Sequence, residues 1–111
     1  TAPLRIDRFA DGAGPLRSYI GPQSLARVML ALARAPGVLP PVLNLAAPYP
    51  VEMADLAAAA GLDWRWTEAP ATAVQRFTLD CRALAERVAF SDTESTAAGI
   101  AAQWKACRMP T

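Results

Sequence analysis

The sequence of 111 residues contains no histidine, a single lysine and two cysteines. Without histidine, the chain has no imidazole base, no Ser-His-Asp triad and no histidine-ligated metal site of its own. The two cysteines, Cys81 and Cys107, lie too far apart in the sequence for a Cys-x-x-Cys motif. They form either a disulfide or two reduced thiols, and a reducing cytoplasm favours the thiols.

Net charge and long apolar runs are also scarce. The formal net charge is +1, so electrostatics gives no reason to expect a nucleic acid or a membrane as partner. No apolar run approaches the ~20 residues that cross a bilayer, and the first residues lack a signal-peptide layout. With 53% hydrophobic and 19% charged residues, we expect residues 1–111 to form a single cytoplasmic domain with one core. Because the chain does not begin with methionine, we also expect it to be a piece of a longer protein.

Hydrophobic periodicity predicts a succession of strands and helices. Period-two alternation and short apolar runs predict strands, whereas helical spacing with capping residues predicts helices. The expected strands cover residues 5–9, 17–20, 42–46, 64–67 and 76–80, and the expected helices cover 22–34, 51–60, 80–88 and a last stretch opened by a capping box of Ser91 and Glu94. This order predicts an α/β fold with a small mixed sheet and about four helices.

The expected helix at 22–34 is apolar on most of its surface. Its core-facing stripe comprises Leu25, Val28, Met29 and Leu32, its second apolar side comprises Ala26, Leu30 and Ala33, and its solvent edge comprises Arg27 and Arg34. A helix of this kind needs cover on most sides. We therefore expect a buried interdomain or subunit element, and self-association of the chain when it is alone.

The stretch DGAGPLRSYI, residues 11–20, raises the question of a phosphate-binding loop. Gly12-x-Gly14-x-x-Arg17 departs from the dinucleotide fingerprint, because arginine occupies the third glycine position and a strand-like segment follows instead of a helix. A glycine-rich turn is therefore the favoured interpretation. Beside this turn, Arg17 either holds a phosphate or carboxylate with its planar fork or forms a salt bridge.

Aromatic and acidic residues offer little further chemistry. Trp64 and Trp66 share one face of a strand and either stack on a base or sugar or, more commonly, pack against a helix. Neither Tyr19 nor Tyr49 is followed by lysine four residues later, as in the catalytic Tyr-x-x-x-Lys pair of many oxidoreductases. The carboxylates form no recognisable acid/base arrangement. We therefore expect no catalytic, cofactor or metal site within this chain.

Three stretches, in order, resemble the C-terminal part of NAD-dependent epimerase/dehydratases, the extended short-chain dehydrogenase/reductases. DGAGPLRSYIGPQSLARVMLALA is similar to the family's Asp-Gly-x-x-x-Arg-x-x-Ile stretch and the helix after it. VLNLAAPYPVEMADLAAAAG is similar to its apolar strand ending in Asn-(Ile/Leu)-Gly, followed by Pro-Val, a helix and a glycine. RFTLDCRALAERV is similar to a later strand and short helix. The chain departs from the family at residues 21–24, often His-Val-Asp-Asp there, and at Ala46, usually glycine.

The resemblance implies the substrate-binding C-terminal portion of a larger NAD(P)-dependent oxidoreductase. It implies a small-molecule substrate such as a sugar or nucleotide sugar, whose diphosphate Arg17 contacts. It also implies that Asn44 orders a loop near the substrate. NAD or NADP would be bound by an N-terminal cofactor-binding half that is missing here, so this chain would not be catalytic alone. The alternative is a stand-alone interaction or ligand-binding module that reuses this half-fold.

Overall fold

Two small sheets and four helices make up the structure, a computed structural model that describes residues 2–108. The strands are β1 (Leu4–Arg8), β2 (Leu16–Arg17), β3 (Val51–Glu52), β4 (Trp64–Glu68) and β5 (Arg76–Phe77). The helices are α1 (Pro22–Arg34), α2 (Met53–Ala59), α3 (Arg82–Ala85) and α4 (Ala97–Cys107), with a 3-10 turn at Asp92–Ser95 before α4. The predicted mixed α/β class with about four helices is confirmed, but the strands form two sheets instead of one.

The first sheet contains only β1 and β4, which run parallel with Ile6 beside Trp66. Ile6 is 1% exposed and packs with Ala54 and Ala57 of α2. The small alanine side chains let the helix approach the sheet closely, and Trp64 covers the edge of this cluster. One helix and one sheet face therefore bury each other, as period-two and period-3.6 patterns predict.

The second sheet contains β2 between β3 and β5. β2 pairs antiparallel with β3 and parallel with β5, so Leu16 lies beside both Glu52 and Arg76. Each of these strands is only two residues long, whereas the sequence predicted strands over residues 17–20 and 76–80. The sheet connects three distant parts of the chain and holds the glycine-rich turn in place.

A second cluster of buried residues lies between α1 and α3. Val28, Leu84 and Val88 form its centre, with Leu43 and Leu45 packed against it. The predicted strand at 42–46 is wrong, because these residues have no ladder partner. Prolines at 36, 40, 41, 48 and 50 flank the segment, and proline donates no backbone hydrogen bond. The burial expected from its apolar character is only partly present, because Ala46 is buried and Leu43 and Leu45 are half-buried, whereas Val42 is 79% exposed.

The core-facing stripe predicted for α1 is partly wrong. Val28 is fully buried, whereas Met29 is 57% exposed. The buried side of the helix is centred on Val28 and includes Ser24, a polar residue that is only 2% exposed. Leu25 and Leu32 are half-buried at its margin.

Ser24 is buried because a polar network surrounds it. Its hydroxyl donates a hydrogen bond to the Glu94 carboxylate and accepts one from Gln103 Nε2 at 2.7 Å. Arg27 Nη2 and the backbone N–H of Ser91 donate to the same carboxylate at 2.6 and 2.8 Å. Burial raises the pKa of Glu94, but these hydrogen bonds outweigh it and lower the pKa to about 2. The network ties α1 to the 3-10 turn and to α4.

The predicted capping box of Ser91 and Glu94 is present, but it caps the 3-10 turn and not α4. Thr96 caps α4 instead, since its Oγ1 accepts a hydrogen bond from the N–H of Gly99 at 3.0 Å. Among residues 2–108, no helix combines the length and apolar composition that a bilayer crossing requires.

Candidate functional site

The glycine-rich stretch forms a tight turn between β1 and β2. Gly12 adopts a φ of 83°, and its N–H donates to the carbonyl of Phe9 at 2.8 Å. The Asp11 carboxylate accepts a hydrogen bond from the N–H of Ala13 at 2.9 Å. A strand follows the turn, so the predicted turn is confirmed and this stretch does not open a helix as a dinucleotide loop does.

Gly14 holds this turn against both sheets. Its N–H donates to Glu52 Oε1 at 2.8 Å. A Cβ added at Gly14 would lie 3.0 Å from the ring of Trp66, so a side chain would press on the indole. Any side chain here would therefore require the Trp66 indole to move by a few tenths of an ångström.

Arg17 reaches across the second sheet to the backbone before β5. Its Nη1 donates to the carbonyls of Leu16 and Gln75 at 2.9 and 2.8 Å, and its Nη2 donates to the carbonyl of Val74 at 2.7 Å. Two of the five guanidinium N–H groups therefore hold the segment 74–77 beside β2, and a third is bonded to the carbonyl of Leu16 within β2. Two remain for a ligand, so the predicted contact between Arg17 and substrate stays a prediction.

Asn44 is exposed and donates from Nδ2 to the carbonyl of Asp80 at 3.0 Å. No hydrogen bond within residues 2–108 joins it to Arg17. Both residues instead bind carbonyls of the segment 74–80, Arg17 at its beginning and Asn44 at its end. Asn44 thus links the 42–46 segment to the chain before α3, and its predicted role near a substrate stays a prediction.

A polar cleft of about 310 Å³ lies between the glycine-rich turn and β5. It is lined by Asp11, Ala13, Gly14, Leu16, Glu52, Gln75 and Arg76. Gln75 Nε2 donates to both oxygens of Asp11 at 3.1 and 3.0 Å. Hydrogen bonds from Ala13 and then Gln75 lower the pKa of the Asp11 carboxyl. The cleft thus offers ionised oxygens on one side and a guanidinium on the other.

Arg76 is the residue in this cleft that sequence reasoning missed. It is exposed, and within the described part of the chain its side chain forms no hydrogen bond or ion pair. Alternation over 76–80 predicted a strand there, but only the parallel register with β2 places Arg76 beside Leu16 and next to the turn.

A wider cleft of about 620 Å³ lies at the carboxyl ends of β1 and β4. Arg8 and Trp66 form one wall, with the guanidinium carbon 5.6 Å from the ring centroid, and Glu68 also lines it. Trp64 meets Trp66 edge-to-face, with ring centroids 5.0 Å apart. Trp64 packs on the core below α2, as the packing interpretation predicts, whereas Trp66 is 37% exposed and faces the cleft.

The two cysteines are free thiols and not a disulfide. Cys81 is half-buried against the cluster of Val28 and Leu84, and burial raises the pKa of its thiol. Cys107 is exposed on α4. Neither thiol lines either of the two clefts.

Comparisons of the chain with models of protein families, with curated proteins and with solved structures found no match.

Proposed function

We propose that this chain is the substrate-binding C-terminal portion of an NAD(P)-dependent epimerase/dehydratase-like oxidoreductase that acts on a sugar or nucleotide sugar. The observation that carries this proposal is the polar cleft between the glycine-rich turn and β5, which sets Arg76 beside carboxylates and next to the strand that holds Arg17. The order of the three family-like stretches gives it independent support.

A nucleotide sugar presents groups that match this cleft. Its diphosphate is a double anion, which a planar guanidinium binds with two parallel hydrogen bonds. Arg76 lines the cleft and has its full set of donors for that contact, whereas Arg17, which keeps two donors, lies on the neighbouring strand and outside the cleft lining. Sugar hydroxyls donate hydrogen bonds, and the carboxylates of Asp11 and Glu52 accept them.

The wider cleft suits the base of the same ligand. An exposed indole and a guanidinium next to it both present flat surfaces on which a base stacks. Trp66 and Arg8 provide these surfaces, and Glu68 accepts hydrogen bonds at the same rim. Phe9 and Ala10 line the wider cleft and Asp11 to Gly14 border the polar cleft, so both clefts adjoin the same turn.

In this proposal, the chain positions the substrate and does not react with it. NAD or NADP, bound by the cofactor-binding half that the resemblance implies, would supply the hydride chemistry. The glycine-rich turn leads into a strand, so it supplies no helix N-terminus for a pyrophosphate, and we expect the chain alone to bind neither cofactor.

Titration of the ¹⁵N-labelled chain with UDP-glucose, followed by amide chemical shifts, tests the proposal. We expect shifts at residues 12–17 and 75–77. Arg76→Gln should weaken binding roughly ten- to a hundredfold, because a charged hydrogen bond is worth about 1.5–3 kcal/mol. Arg65→Gln, an exposed arginine on β4 outside both clefts, serves as the matched control. The proposal is wrong if millimolar UDP-glucose moves no amide of the turn, or if both variants bind alike.

A further inference from the structure

The solvent side of α1 carries an uncharged apolar seam. We use the name α1 seam for Ala26, Met29, Leu30 and Ala33, all of which are exposed. Met29 and Leu30 expose 57% and 51% of their surface. With 3.6 residues per turn, these four positions share one side of the helix, opposite the fully buried Val28.

The residues of the α1 seam are nearly symmetric in type and spacing about the centre of the seam. Two alanines, seven residues apart, flank the central pair of Met29 and Leu30. A two-fold axis between residues 29 and 30 therefore sets Ala26 of one copy against Ala33 of the other. Small residues at both ends allow two helix backbones to approach, while the long side chains interdigitate at the centre.

Charge favours an antiparallel arrangement of two such helices. In a parallel pair, Arg27 and Arg34 of one helix lie level with the same arginines of the other. In the antiparallel pair, Arg34 lies level with Leu25 of the other copy, and the helix dipoles oppose each other. Arg27 is already bound to Glu94 at 2.6 Å, and the net charge of +1 gives little overall repulsion.

We propose that two copies of this chain associate by antiparallel packing of their α1 seams around a two-fold axis. This inference concerns the chain itself and does not depend on the proposed function. One helix pair buries less than the ~800 Å² per partner of a standard interface, so the dimer is weak, with a Kd on the order of tens of micromolar.

Sedimentation equilibrium between about 5 and 500 micromolar tests the surface. We expect the wild-type mass to rise above one chain within that range. Leu30→Glu should weaken association at least tenfold, because it places a charge at the centre of the contact. Ala31→Glu is the matched control, since Ala31 is the adjacent exposed position outside the α1 seam. Circular dichroism verifies that both variants fold. A wild-type monomer at every concentration, or equal weakening by both variants, overturns the proposal.

Disulfide trapping tests the orientation, in a background of Cys81→Ser and Cys107→Ser. Chains carrying Ala26→Cys, labelled with ¹⁵N, are mixed with unlabelled chains carrying Ala33→Cys and oxidised at dimer-forming concentration. The antiparallel pair yields the mixed disulfide, identified by its mass. In the antiparallel pair, the same residue of the two copies lies about 10 Å apart along the helix axis. This distance exceeds the ~7 Å between Cα atoms that a disulfide spans. Predominant homodisulfides indicate a parallel pair and contradict the proposal.

Discussion

At Gly99, the first turn of α4 approaches the preceding 3-10 turn so closely that no side chain fits. A Cβ at this position would overlap the carbonyl oxygen of Thr93 and lie 3.0 Å from Thr96 Oγ1. Both atoms belong to the cap of α4, since Thr96 accepts from the N–H of Gly99 and donates to the carbonyl of Thr93. The residue therefore has a role that its position within a helix would not suggest.

We predict that Gly99→Ala destabilises the chain by about 2–3 kcal/mol, measured by urea unfolding. In an open helix position, the same substitution would stabilise by up to ~1 kcal/mol. Ala98→Gly, at the exposed neighbouring position, is the control and should cost no more than about 1 kcal/mol. A Gly99→Ala variant at least as stable as the wild type would show that the cap relaxes without cost.

At the scale of elements, the side chain of Arg17 helps to hold two very short strands, β2 and β5, together. β2 and β5 each contain two residues, and a ladder of that length is too short to hold two segments together. The two hydrogen bonds from Arg17 to the carbonyls of residues 74 and 75 extend the attachment of the two segments beyond the paired strand residues. The polar cleft beside Arg76 depends on this attachment.

We predict that Arg17→Met lowers the free energy of unfolding by about 2 kcal/mol, because it keeps the aliphatic stem and removes the donors. Amide hydrogens of residues 75–77 should also exchange faster. Arg65→Met, at an exposed position on β4, should change neither property. Unchanged exchange in the Arg17 variant would mean that backbone pairing alone holds β5.

Elements with local signals were predicted well, and those with distant partners were not. Helical spacing and Pro22 predicted α1 with its observed bounds, because a helix depends on contacts three and four residues apart. The predicted helix at 51–60 begins later, at Met53, because Val51 and Glu52 pair with β2. The segment 42–46 shows the converse, since its apolar side chains are partly buried but none of the described strands pairs with it.

At the scale of the whole molecule, the network around Glu94 makes stability depend on pH. The pKa of Glu94 is about 2 in the folded chain, below its ordinary value of 4.5. A carboxyl whose pKa is lower in the folded state stabilises the folded chain fully when the pH is above its unfolded-state pKa. This stabilisation disappears as the pH falls through the folded-state pKa. The stabilisation is therefore present above pH 4.5 and is lost towards pH 2.

We predict that the free energy of unfolding of the wild type, measured with urea, falls by about 2 kcal/mol between pH 5 and pH 2 because of Glu94, after allowance for solvent screening. Glu94→Gln should be less stable at pH 7 and should lack this part of the pH dependence. Asp11 and Asp80 also have lowered pKa values, so the difference between wild type and variant isolates Glu94. Parallel pH profiles of the two proteins would contradict the assignment.

Some residues of the candidate site were predicted from local sequence patterns, whereas others were identified only in the tertiary structure. The sequence singled out the glycine-rich turn, Arg17 and the two tryptophans, because glycine spacing and strand alternation act within a few residues. The sequence did not indicate that Arg76 lines a cleft, nor that three donors of Arg17 bind backbone carbonyls. It also could not separate Trp64, which packs on the core, from Trp66, which faces a cleft.

The amino-acid pattern was sufficient for the mixed α/β class, the extent of α1, the turn at Gly12 and the capping box, since each depends on neighbouring residues. Folding alone settled how the strands divide into two sheets, which side of α1 is buried and what each polar group binds. The reason is distance along the chain, because Gly14, Arg17 and Ser24 have partners 38, 58 and 79 residues away. No local propensity encodes such pairings, which arise only when the whole chain packs around its two buried clusters.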